Sequence, residues 1–268
     1  MASVTQRING VPHAGIPPVK QPRGGYINPK RLTAVELEGP KPALEQKKES
    51  VSASLVGSTV DYLTRFMEGV SVKEAFKISF LGADIVGESA NAIRLAEGIT
   101  GLDDASIANA CKLVGYDSAY RAGLMAFRPV EDIEADGPTC ENIRTMVNLS
   151  LEFFREYGPV TRDGITFEGG YTDLVNTGDG DFMTADAVWD FKVSVKPPTN
   201  KHTLQIVMYW LLGMHSVYAE DYKAVKRLGF FNPRLGMVYT IDVADLDREM
   251  LREIEVKVIG YDSEKAIF

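Results

Sequence analysis

Cysteine, histidine and long apolar runs are all scarce in this chain. Its 268 residues include two cysteines and three histidines. Cys111 and Cys140 are too few for a disulfide scaffold, for a zinc held by four thiolates or for a four-cysteine iron–sulfur cluster. Reduced thiols in a cytoplasmic protein are the expectation. The longest apolar run, Ile206–Met214, is far too short to span a bilayer. The N-terminus has no apolar stretch of the kind a secretory signal needs. Membrane insertion and secretion are therefore not expected. Positive charge is also in deficit: 29 Lys and Arg against 37 Asp and Glu give a net charge of −8. That balance argues against a protein that coats nucleic acid without specificity.

What is present is unevenly distributed. From Glu131 to Asp190 there are 14 acidic and 3 basic residues, a local balance of −11. From Lys192 to Arg234 there are 7 basic and 2 acidic residues, a balance of +5. An acidic stretch running into a basic one suits a metal site beside a phosphate-binding surface, although solvated faces of one sign arise by chance as well.

Residues 1–50 hold 7 of the 13 prolines and read as an extended arm. Residues 51–138 read as a helical region, with apolar positions at helical spacing (Leu55, Tyr62, Leu63, Phe66). Residues 139–268 change character. A helix is expected over Thr139–Tyr157, with Thr139 as its N-cap. Strands are expected at 165–168, 171–176, 183–195, 227–231 and 237–243, with a hairpin turn over Asn176–Gly180. Helices are expected over His202–Tyr218 and Ala244–Val258. This order predicts an α/β fold, a mixed sheet flanked by helices, with an added N-terminal helical region.

Three features of the second half interlock. Gly170-Tyr171-Thr172-Asp173 leads into one expected strand, and Asp190-Phe191-Lys192 ends another. Strand side chains alternate, so Asp190 and Lys192 share a face with Val188, while Trp189 and Phe191 point the opposite way. A carboxylate and an ammonium side by side on a largely buried strand are costly unless something uses them. A structural ion pair is the plain alternative. On the following helix Gln205 and Tyr209 are four apart and share a face, with His202 on roughly the same side.

Gly-x-x-Asp, Asp-x-Lys and Gln-x-x-x-Tyr, in that order, resemble the PD-(D/E)XK nuclease superfamily, nearest to its RecB-like and phage lambda-type exonuclease branch. The resemblance covers about residues 139–258 and implies a restriction-endonuclease-like core. It implies Asp173 and Asp190 as ligands of Mg²⁺ or Mn²⁺, joined by the Phe191 carbonyl. Lys192 would assist the attacking water, and Gln205 and Tyr209 would position the lysine or the substrate strand. For a third acidic ligand the candidates are Glu152, which is preferred, Glu156 and Glu168. The implied reaction is hydrolysis of DNA, in which a hard cation neutralises phosphate and acidifies water.

Other features carry less. Gly82–Ser89 has the spacing of a phosphate-binding loop, but Glu88 stands where lysine is essential, so no ATPase is expected. Asp179-Gly180-Asp181 reads as a turn rather than a calcium loop. Lys196 and Lys201 flank Pro197-Pro198 beside the active strand and are placed to touch a nucleic-acid backbone. A binding protein of the same fold with little catalysis, and a hydrolase of small phosphoesters, are the competing readings. Residues 51–138 leave open a protein partner or a second copy of the chain.

Overall fold

The computed structural model describes residues 2–37 and 44–268. The chain opens with β1 (Ala2–Ser3), α1 (Val4–Asn9) and, after a largely irregular stretch, β2 (Thr33–Glu36). Six helices follow: α2 (Ala53–Met67), α3 (Val72–Ala75), α4 (Lys77–Val86), α5 (Ser89–Glu97), α6 (Asp104–Val114) and α7 (Asp117–Ala122). The second half runs α8 (Gly137–Tyr157), β3 (Arg162–Ile165), β4 (Val175–Thr177), β5 (Gly180–Thr184) and β6 (Ala187–Phe191). It continues through α9 (Asn200–Met214), α10 (Ala219–Lys223), β7 (Arg227–Asn232), β8 (Met237–Asp242) and α11 (Arg248–Glu253). The last of these runs on as π-helical turns over Ile254–Ile259.

Six strands form one mixed sheet in the order β2-β8-β7-β6-β5-β3. Only β6 and β7 are parallel, and α9 makes the crossover between them, as a parallel pair requires. Alternation sorts the central strands cleanly. Val188, Leu228, Phe230 and Ile241 face α9, packing on Leu204, Val207, Met208 and Leu211. Trp189, Phe231 and Val238 face α8, where Phe153 stacks on Phe231 with ring centroids 4.4 Å apart and meets Trp189 edge-on at 4.9 Å. The other side of α8, through Cys140, Ile143, Met146 and Val147, packs against α2–α7. The layers are thus α9, sheet, α8 and helical region. Because α9 is buried almost all round, it tolerates polar groups only where they find partners.

Several elements differ from the sequence reading. Asp136, not Thr139, caps α8: its side chain accepts the Thr139 N–H at 3.0 Å, and Pro138 occupies the first turn. The run 183–195 is not one strand. It folds back at Ala185-Asp186, so that Phe182 pairs with Trp189 and Thr184 with Ala187. Asn176–Gly180 is correspondingly not a hairpin turn, since β4 pairs in parallel with β1 in a separate two-stranded sheet. The arm is not merely extended. Its β2 forms the sheet edge on β8, β1 and α1 cover β4 and α9, and its residues 1 and 38–43 lie outside the described ones.

Candidate active site

The Ala185-Asp186 turn decides which carboxylate meets Asp190. In the antiparallel register of β5 and β6, the residue opposite Asp190 is Asp181. The Asp181 Oδ2 accepts the N–H of Phe191 at 2.5 Å. Burial, and next the charge of Asp190, hold the Asp181 carboxyl well above the ordinary carboxylate range.

Asp190 itself is buried. The Lys192 ammonium donates to its Oδ1 at 3.0 Å and lies 2.8 Å from Oδ2 as an ion pair. Oδ2 is nonetheless buried without a well-directed hydrogen bond. Burial acts to lower the Lys192 pKa, but Asp190 and Asp181 outweigh it and the net direction is upward. Lys192 also donates to Gln205 Oε1 at 3.4 Å. Gln205 Nε2 in turn donates to Tyr209 Oη at 2.8 Å and to Thr5 Oγ1, on α1, at 3.3 Å. With both acceptors on its nitrogen side, the Gln205 carboxamide turns its oxygen to the lysine. The Tyr209 ring stacks on Phe167 (5.4 Å), and burial, then Asp190 and Asp181, keep its hydroxyl protonated. His202 closes its own helix, accepting the Thr199 N–H through Nδ1 at 3.2 Å. Burial and the Lys192 charge lower its pKa, which keeps it neutral.

A pocket of about 290 Å³ opens on this cluster. One wall is Asp181, Phe191, Lys192 and Val193. The other is the first half of α2, where Ala53, Ser54, Gly57, Ser58 and Asp61 present small or polar side chains. Burial pushes the Asp61 carboxyl up to about 6, against the pull of Arg65. Arg65 in turn pairs with Asp163 of β3, which ties α2 to the sheet edge.

The structure therefore brings together Asp190, Phe191, Lys192, Gln205 and Tyr209. It does not bring Asp173 to them. Asp173 is exposed in the loop before β4, lining a separate cavity of about 500 Å³ with Tyr171, Thr172, His215, Tyr261 and Lys265. Glu152 is paired with Arg155 on α8, the helix that covers the opposite face of the sheet from Asp190. Glu156 is exposed on that same helix, and Glu168 is exposed in a loop where it accepts from Thr166 Oγ1 at 2.8 Å. None of the three lines the pocket.

Sequence reasoning missed Asp181, Asp61 and Thr5. A signal existed for the first: a strand over 183–195 exceeds ordinary strand length, and Ala185 and Asp186 are poor strand formers near its start. Asp61 and Thr5 had none, because each reaches the site from a distant part of the chain.

Two carboxyl groups on paired strands, one with a buried oxygen that lacks a well-directed hydrogen bond and the other raised in pKa by burial and next by its neighbour's charge, are hard oxygen donors crowded together. They suit a hard divalent cation better than a thiolate- or imidazole-binding metal. Among the described residues no group of three or more Asp, Glu, His or Cys stands close enough to hold a metal by itself. A cation here would complete its shell with the backbone, water or substrate. Among the described residues, no helix is long and apolar enough to cross a membrane. Compared with family models, with curated proteins and with solved structures, the chain matches none of them.

Proposed function

We propose that this chain is a divalent-cation-dependent nuclease, hydrolysing phosphodiester bonds of DNA on a restriction-endonuclease-like core. The observation that carries this reading is the contact series Asp181, Asp190, Lys192, Gln205 and Tyr209 across β5, β6 and α9. In it Asp181 takes the role that the sequence resemblance gives to Asp173. Asp181 and Asp190 would hold Mg²⁺ or Mn²⁺, which when bound neutralises the phosphate and acidifies a water.

The chain's own residues define the rest. Lys192, kept as an ammonium by the two aspartates, offers positive charge to the phosphate oxygens as the water oxygen attacks phosphorus and the P–O bond to the leaving sugar breaks. Its proton can pass to that leaving oxygen. Gln205, held by Tyr209 and Thr5, keeps the ammonium from swinging away. Asp61, across the pocket, adds a carboxylate that titrates near neutrality and can hydrogen-bond a water there.

The test is cleavage of linear and circular DNA with Mg²⁺, with Mn²⁺ and with EDTA. Wild type runs beside Asp190→Ala and Lys192→Ala, each checked by circular dichroism for an intact fold. Metal-dependent cutting by wild type alone is the expected result. A folded wild type that cuts neither form defeats the proposal.

A further inference from the structure

Up to Val35 the chain contains Arg7, Lys20, Arg23, Lys30 and Arg31 and no acidic residue; the first is Glu36. In a protein of net charge −8 this is a concentrated excess of positive charge. The fold puts it beside α9. Lys201 Nζ donates to Asn9 Oδ1 at 2.7 Å, and Thr203 Oγ1 donates to the Ile27 carbonyl at 2.8 Å. Gly25, at φ +90°, lets the arm approach Asn200 so closely that a Cβ there would stand 2.5 Å from the Asn200 Cβ. Lys201 is one turn before Gln205 on the same helix face, and Lys196 is exposed on the loop from β6. The cation-rich arm thus packs beside the first turns of α9, the helix that carries Lys201 and Gln205.

The grouping of the arm cations in one acid-free segment distinguishes them. Some basic residues on the helices are neutralised by nearby acids, as Lys77 is by Glu74, Arg144 by Asp104 and Glu141, and Lys223 by Glu220, whereas others, such as Lys73 and Lys112, are scattered singly without an ion pair to a described residue. Lys20, Arg23, Lys30, Lys196 and Lys201 form no ion pair with a described residue, and all five are exposed. Arg7 and Arg31 bond backbone carbonyls of Lys257, Val258 and Asp245, which leaves their charge uncompensated. Glu253, which touches the arm through Tyr26, accepts from the Tyr26 hydroxyl and is paired with Lys257.

We infer that the N-terminal arm, with Lys196 and Lys201, is the docking surface for a nucleic-acid backbone that leads toward the Lys192 pocket. A row of exposed cations without carboxylate partners binds polyphosphate by releasing its condensed counterions, with little dependence on sequence. The direction of the strand rests on the proposed nuclease reading. The binding itself does not.

The test is fluorescence anisotropy with labelled single-stranded and duplex DNA of about 20 nucleotides, a length that spans a typical binding footprint. The full chain is kept in EDTA, so that no cleavage intervenes, over a salt series. Lys20→Gln/Arg23→Gln/Lys30→Gln and Lys196→Gln/Lys201→Gln are compared with wild type and with Lys77→Gln/Lys223→Gln. The triple variant should lower the slope of log affinity against log salt by about 2 to 3, and the double variant by about 1.5 to 2. The control pair should match wild type. Arm variants that bind like wild type with an unchanged slope overturn the inference, as does a wild type that binds neither DNA at about 50 mM salt. Cleavage measured in parallel separates the two claims. Binding through the arm without cutting leaves this inference standing and removes the nuclease, whereas cutting with arm-independent binding does the reverse.

Discussion

Gly170-Tyr171-Thr172-Asp173 and Gly178-Asp179-Gly180-Asp181 carry the same four-residue pattern eight positions apart, yet their aspartates have opposite fates. In the first segment Gly170 fits against the C-terminal part of α9: a Cβ there would stand 2.2 Å from the Leu212 carbonyl oxygen. Asp173 stays exposed near that end, beside His215. In the second, Gly180 begins β5, and Asp181 is carried inward to face Asp190 and Lys192, beside the N-terminal half of α9. Leu212 and Gln205 are seven residues apart, about 10 Å along the helix axis. The pattern alone therefore does not carry an aspartate to Asp190. The strand pairing that follows it does.

The comparison is broken or sharpened by substitution. Asp181→Asn should lower DNA cleavage about a thousandfold, equivalent to about 4 kcal/mol of transition-state stabilisation. Asp173→Asn should stay within about twofold. Initial rates on one linear duplex at saturating Mg²⁺ measure both, and equal losses would erase the distinction. Asp61→Asn, which removes a pocket carboxylate expected to act through water, should cost about ten- to a hundredfold in metal affinity or rate. Titrating Mn²⁺ against cleavage tells which.

Thr5→Val deletes one hydrogen bond to Gln205 while keeping the β-branched shape, so about a two- to tenfold fall in kcat is expected. Thr5→Ser should restore it, and KM for DNA should stay unchanged in both. The smallest effect concerns stability without metal. The folded state raises the Asp181 carboxyl above its unfolded value, so it binds more protons than the unfolded chain. Stability is therefore lost as pH climbs from about 4 through the raised folded value. In EDTA at pH 8, Asp181→Asn should melt a few degrees above wild type, about 1–2 kcal/mol of relief given the partial exposure of the group. The gain should vanish near pH 4, and Asp173→Asn should show none of it.

These two segments also mark what could be read in advance. Asp190 and Lys192 on one strand face, and Gln205 and Tyr209 one turn apart on the next helix, follow from the periods of strand and helix, and the structure brings the four together. Asp181 was harder to read because the two-residue turn that brings it to Asp190 has no glycine, and only the excessive length of the run and the weak strand formers Ala185 and Asp186 mark where the chain reverses. Asp61 and Thr5 stand more than a hundred residues from Lys192, and only tertiary packing decides that α2 and α1 flank the pocket. The arm misled for a similar reason: its proline content predicts extension, and β2 gains its order by pairing along β8.

One further feature reaches beyond the site. Arg7 anchors α1 through its guanidinium to the carbonyls of Val258 and Lys257, at 2.9 and 3.1 Å. The ribosome makes Arg7 early and those carbonyls about 250 residues later, a delay of some 12 to 50 seconds at ordinary elongation rates. Throughout that interval the helix that braces Gln205 lacks its tether. The Thr5 contact to Gln205 therefore gains this anchor only after residues 257 and 258 have been made, so the brace at one end of the chain is completed by the other.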